Sequence, residues 1–203
     1  MKEVGNVPGN YYDKYHTKNP IARLLMNGFI GSLKNCLDQI QVTRVLDAGC
    51  GEGELTNIVY QQLPGLEKLK GIELEAVTVA EANRRFPHLD ISQGTIYDLP
   101  FENDSFDLVM ACEVLEHLED PQKAIKEIMR VSKRYMLVSV PREPIWRICN
   151  MARGKYLSRF GNTPGHIQHW SSRQFVKLIG AHARILKVNK PFPWTMILAE
   201  VPK

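Results

Sequence analysis

Short runs of Val, Ile and Leu alternate along the chain with segments whose apolar residues recur at helical spacing. The strand-like runs are residues 43–48, 69–73, 106–111, 135–140, 184–188 and 195–201, with a weaker one at 91–95. Leu55, Ile58, Val59 and Leu63 mark one helical face, and Ala124, Ile125, Ile128 and Met129 mark another. Asp120-Pro121 supplies a cap and a first helical residue for the second. Ser171 and Gln174 have the spacing of a capping box ahead of Phe175, Leu178 and Ile179. Alternating strand and helix predicts an α/β fold with a parallel sheet covered on both faces. The last two runs are joined by residues 189–194 with no room for a helix, so the final strand is expected to be antiparallel.

Two regions stand outside this alternation. Residues 1–40 hold a Tyr-rich start and a helical pattern through Ile21, Leu24, Leu25, Leu33, Leu37 and Ile40. Residues 141–170 separate the fifth strand from the last long helix and are too long for a simple connection. Within them Ile145, Ile148, Cys149, Ala152 and Tyr156 keep helical spacing among Arg142, Arg147, Arg153, Lys155 and Arg159, with Glu143 the single acid. That pattern suits a lid over an acidic acceptor, a helix resting on a membrane surface, or a solvated basic face.

At 203 residues the chain suits one domain, here 1–203, with a sizeable core. A net charge of +4 does not by itself imply nucleic acid. No apolar run approaches a membrane span, and the first residues lack a signal-peptide core. Cys36, Cys50, Cys112 and Cys149 form no CxxC pair, which points to a reducing, cytoplasmic setting.

The chemistry begins at Val45-Leu-Asp47-Ala-Gly49-Cys50-Gly51-Glu-Gly53. A buried strand enters a glycine turn and a helix follows, so the backbone can lie close to a ligand and offer it free N–H groups. A dinucleotide fingerprint would place its third glycine at 54, where Glu54 stands. The pattern D-x-G-x-G-x-G resembles the class I S-adenosylmethionine-dependent methyltransferases, of the type 11 kind. The resemblance covers most of the chain. It implies a Rossmann-like seven-stranded sheet of order 3-2-1-4-5-7-6, strand 7 antiparallel, with S-adenosyl-L-methionine as cofactor.

The same resemblance implies cofactor contacts at Asp47, Gly49, Cys50, Gly51 and Gly53, with Glu73 on the ribose and Leu74 beside it. Thr95 and Ile96 would meet adenine, although many relatives carry Asp where Thr95 stands. Cys112 would wall the pocket, Glu113 would border the cofactor, and one of Tyr11, Tyr12 and Tyr15, with Tyr11 taken as the candidate, would lie near the cofactor from the N-terminal segment. The block at 99–118, with Asp107 and the E-V-L-E-H run, resembles the family's fourth strand.

Methyl transfer is an in-line displacement, so the enzyme positions the acceptor and excludes water. A hydroxyl acceptor also needs a base or a metal. Glu113, Glu116 and His117 have helical spacing, and His166 follows in the insertion. These four resemble the divalent-metal set of 2′-O-methyltransferases of small RNAs and of ubiquinone-pathway O-methyltransferases. Many family members with the same run bind no metal, and there His117 or His166 is the candidate base. The leading reading is methyl transfer to a small-molecule acceptor, at oxygen, acidic or lipid-like. The alternatives are a metal-dependent RNA 2′-O-methyltransferase and a non-catalytic cofactor-binding regulator. No separate RNA-binding module argues for the RNA alternative.

Overall fold

The computed structural model describes residues 17–203. Tyr11, Tyr12 and Tyr15, one of which is expected from sequence to lie near the cofactor, are outside the described residues.

The strands are β1 (Arg44–Ala48), β2 (Lys68–Glu73), β3 (Asp90–Gln93), β4 (Phe106–Cys112), β5 (Ser132–Pro141), β6 (Arg184–Asn189) and β7 (Trp194–Glu200). They form one sheet of order β3-β2-β1-β4-β5-β7-β6. β7 runs antiparallel to β5 and β6, and every other pairing is parallel. This is the expected Rossmann-like sheet, with the hairpin where the loop at 189–194 left no length for a helix.

Successive residues of a strand face opposite sides, and both sides are buried. Leu46, Val109, Ala111, Met136 and Val138 pack on one face under α4 (Pro121–Val131) and α6 (Ser172–Gly180). Val45, Leu108, Met110 and Leu137 pack on the other under α1 (Pro20–Leu37) and α2 (Glu54–Gln62). The caps read from sequence are formed. Asp120 accepts from the Lys123 N–H at 3.0 Å, and Ser171 and Gln174 complete a capping box.

α1 begins at Pro20 under an Asn19 cap and buries Met26, Phe29, Leu33, Cys36 and Leu37 at helical spacing. Its Phe29 ring meets Trp194 of β7 edge-on at 5.1 Å. α3 (Ala76–Arg85) has no such stripe. It buries only Ala82, which is why hydrophobic periodicity did not announce it.

The insertion forms α5 (Ile145–Ala152) and a 3-10 turn at Leu157–Arg159. The helical spacing runs on to Tyr156, but the helix stops at Ala152 because Gly154 (φ 69°) and Tyr156 (φ 55°) take left-handed conformations.

Candidate active site

The C-terminal ends of the parallel strands gather the chemistry-bearing residues. β1 passes into α2 through Gly49, Gly51 and Gly53, at φ 92°, 54° and 82°. Side chains strain this left-handed backbone, so glycine is the residue that turns the chain here. Gly49 also lies against the next strand's exit: a Cβ there would come within 2.5 Å of Val114 Cγ2. The start of α2 has no side-chain cap, which leaves its first N–H groups to an anionic ligand.

Glu73 closes the turn from β2. Its Oε2 accepts from the Gly51 N–H at 2.9 Å, and its Oε1 from the N–H groups of Leu74 and Glu75 at 2.8 and 3.2 Å. An ionised carboxylate has about four acceptor sites, so capacity remains for a ribose hydroxyl. Leu74 is exposed, while Ile96 is buried at the end of β3's connection. The Thr95 hydroxyl accepts from the Tyr97 N–H at 3.3 Å. A left-handed glycine cradle, uncapped helix N–H groups and a carboxylate at the adjacent strand end fit the amino-acid and ribose portions of S-adenosylmethionine.

Asp47 is buried beneath this turn and accepts from the Thr56 hydroxyl at 2.7 Å, tying β1 to α2. Burial, with help from the Glu73 charge, pushes its pKa up to about 6. Cys50 and Cys112 are buried, and burial raises both thiols far from the thiolate range. Asp107 works at the other end of β4, accepting from the backbone N–H groups of Thr43 and Arg44 at 2.9 and 3.0 Å.

Beyond β4, Glu113 is left-handed (φ 61°), and residues 115–117 make a single 3-10 turn. This departs from the expectation that 113, 116 and 117 share one helical face, because the backbone reverses at Glu113. Its Oε1 accepts from the Ser139 hydroxyl at 3.0 Å and its Oε2 from the Trp194 indole N–H at 2.5 Å. Glu113 therefore does not join the metal-type group expected of it. The remaining three do converge. Single ligand atoms of Glu116, His117 and His166 all lie within 4.8 Å of one another.

The insertion builds that convergence. Ile167 and Gln168 donate their N–H groups to the Glu116 carbonyl, at 2.9 and 3.0 Å. His117 Nδ1 lies 3.0 Å from the Gly165 carbonyl. A carbonyl only accepts, so Nδ1 carries the proton and Nε2 is turned toward Glu116, 3.9 Å from its Oε1. The His166 ring meets His117 edge-on at 4.8 Å and stacks on Trp146 at 5.8 Å. Glu116 and His166 are buried, while His117 is exposed on one side. Sequence reasoning missed the supports Ser139 and Trp194. The signal available for Trp194 was an aromatic placed after Pro193 at the start of the antiparallel strand. Of the other histidines, His169 pairs with Asn162, His88 with Asn57 and His182 with Gln122.

Residues 46–135 match the family described as a methyltransferase domain. A probable S-adenosylmethionine-dependent methyltransferase of Mycolicibacterium smegmatis is 34% identical over 99 residues, covering 48% of this chain and 37% of that protein. The chain spans less than half the length of the curated relatives it matches. Among solved structures, magnesium protoporphyrin IX methyltransferase from Synechocystis, with bound S-adenosylhomocysteine, superposes with a TM-score of 0.69 at 17% identity, over 92% of this chain and 89% of that one. The [4+2]-cyclase SpnF superposes with a TM-score of 0.67 at 18% identity, over 95% and 86%. These two likenesses establish the fold. The family match covers residues 46–135 and is to a methyltransferase domain. No described helix is long and apolar enough to cross a membrane.

Proposed function

We propose that the chain transfers a methyl group from S-adenosylmethionine to an oxygen of a small, acidic or lipid-like acceptor, in a reducing compartment such as the cytoplasm. One observation carries the reading. The 113–117 segment packs on the glycine turn through Val114 and Gly49, and its Glu116 and His117 meet His166 from the insertion. A cofactor cradle and a cluster able to handle a hydroxyl are thus neighbours.

Bound S-adenosylmethionine supplies an activated sulfonium methyl group. The glycine turn and the start of α2 bind its amino-acid end, and Glu73 holds the ribose. Glu113, fixed by Ser139 and Trp194, borders the methyl site. The acceptor must sit about 3–3.5 Å from the methyl carbon, and the insertion excludes water from that space. One carboxylate and two imidazoles, with one tautomer fixed by Gly165, suit a divalent cation that would lower the acceptor hydroxyl's pKa. Where no cation binds, Nε2 of His117 is the group oriented to take the hydroxyl proton.

Calorimetry with S-adenosylmethionine and S-adenosylhomocysteine, followed by label transfer from the methyl-tritiated cofactor to a panel of hydroxylated acids, lipid-like phenols and their amino counterparts, tests the reading. Micromolar binding and an alkali-stable ether product are expected. Binding of NADH with none of S-adenosylmethionine overturns the cofactor assignment, and label found only on nitrogen overturns the oxygen assignment.

A further inference from the structure

Charge is distributed very unevenly along this chain. Residues 144–199 contain nine of the 26 Lys and Arg residues and none of the 22 Asp and Glu residues, so the remainder of the chain is net acidic. The acid-free stretch begins with α5 and the turn that follows it.

α5 turns one side inward. Asn150 is buried and donates to the Gly161 carbonyl and the Thr163 hydroxyl at 2.9 and 3.1 Å, and the Trp146 indole donates to the same hydroxyl at 2.9 Å. The following segment folds back along the helix, where Arg147 Nε donates to the Phe160 carbonyl at 3.0 Å. Four apolar side chains are left outside: Ile148 at 55% exposure, Met151 at 37%, Leu157 at 60% and Phe160 at 74%. Arg153 and Arg159 are exposed among them. Arg153 bonds only to neutral groups, Asn150 and the Cys149 carbonyl, and no described carboxylate pairs with either arginine.

We propose that this protrusion, residues 145–160, docks on an anionic lipid bilayer, with Leu157 and Phe160 entering the interface and Arg153 and Arg159 meeting lipid phosphates. Exposed apolar residues interleaved with cations, and no acids to repel the surface, are the combination that interfacial binding requires. Leu, Ile and Met offer little to nucleic-acid bases, whose contacts are stacking on aromatic rings, so the apolar content favours lipid over RNA. No described helix is able to span the bilayer, so the contact is peripheral. The inward side of α5 carries Trp146, stacked on His166, so docking sets the candidate site beside the membrane. The inference rests on charge and exposure and stands apart from the methyl-transfer reading.

Sedimentation with phosphatidylcholine vesicles, with and without phosphatidylglycerol, tests it, using S-adenosylhomocysteine binding as the check that each variant is folded. The full chain should partition at least about tenfold more strongly onto anionic than neutral vesicles, and release at high salt. L157S/F160S should lose about tenfold in partitioning while keeping cofactor binding, and R153Q/R159Q should lose the preference for anionic lipid. Absence of sedimentation with anionic vesicles overturns the proposal, as does binding that L157S/F160S leaves unchanged. Salt-sensitive binding to single-stranded RNA, abolished by R153Q/R159Q, with no vesicle binding, replaces lipid by RNA.

Discussion

The indole N–H of Trp194, at the start of the antiparallel β7, donates at 2.5 Å to the carboxylate of Glu113, which follows β4 in a left-handed conformation. Ser139 on β5 holds the other oxygen at 3.0 Å. Two strands thus fix one carboxylate at the exit of the cofactor turn. A hydrogen bond to a charged group contributes about 1.5–3 kcal/mol, so Ser139→Ala should weaken S-adenosylhomocysteine binding by up to that amount through a loosened Glu113. Ser139 is fully buried, and the loss of one hydroxyl should leave the melting temperature within a few degrees. Calorimetry and thermal melting measure the two separately. A melting loss with unchanged affinity would assign Ser139 to the core alone.

Glu73 makes three bonds to backbone N–H groups and is proposed to receive the ribose as well. Glu73→Ala should therefore weaken cofactor binding by about 1.5–3 kcal/mol, more than tenfold. Glu73→Gln keeps one acceptor oxygen and should fall between. Calorimetric affinities equal to the native chain's for both variants would remove Glu73 from the site.

Asp47 gives a pH signature. Its folded pKa of about 6 lies above the unfolded value of about 3.9. A raised pKa favours the protonated form in the folded state, so the associated stability is complete below pH of about 4 and lost as pH rises through about 6. At neutral pH the charged, buried carboxylate costs about 3 kcal/mol. Asn at 47 keeps an oxygen for the Thr56 hydroxyl and never ionises. The stability difference between Asp47→Asn and the native chain should therefore grow, in favour of the variant, by about 2 kcal/mol from pH 4 to pH 7. Denaturant titrations across that range measure it, and a flat difference would contradict the assignment.

The fold was largely legible because burial on both faces leaves a simple trace: short β-branched runs between helical stripes, with Pro and Ser caps at the right offsets. α3 left no such trace, since most of its surface faces solvent. The glycine turn was legible because left-handed backbone demands glycine at 49, 51 and 53. The arrangement beyond β4 was not. Helical spacing at 113, 116 and 117 holds only if the backbone is helical, and Glu113 is held left-handed by partners 26 and 81 residues away. Pairing at that distance leaves no periodicity to read. The meeting of His117 with His166 likewise depends on the insertion folding back through the Glu116 carbonyl, a contact that spacing does not encode.

The insertion should also be the first part of the chain that proteases open. Its ends are tied to Glu116 and His117, and its start is tied through Arg142 and Glu143 to Pro193 and Trp170. Between them residues 151–160 are exposed apart from Tyr156. Limited trypsin digestion should cut after Arg153, Lys155 or Arg159 before it cuts after Arg142 or Arg147. First cleavage after Arg142 would mean that the anchors, and not the tip, open.

The cluster of Glu116, His117 and His166 makes the ion the most discriminating measurement. With His117 Nδ1 committed to the Gly165 carbonyl, its Nε2 is oriented before any ligand arrives, and the Glu116 carbonyl is already held by the insertion. Calorimetric titration with Mn²⁺ should show a single site in the native chain. Glu116→Gln and His166→Ala each remove one of the three proposed ligands and should weaken it by about tenfold or more. Glu113→Gln separates the two arrangements. If Glu113 were a ligand, as its spacing in the sequence suggests, this change would weaken the ion as much as Glu116→Gln. The hydrogen bonds from Ser139 and Trp194 assign its carboxylate elsewhere, so Glu113→Gln should leave Mn²⁺ binding within about twofold of native and weaken S-adenosylhomocysteine instead. Binding heat that is absent in the native chain, or present and equal in Glu116→Gln and His166→Ala, would exclude the ion and leave His117 Nε2 as the base.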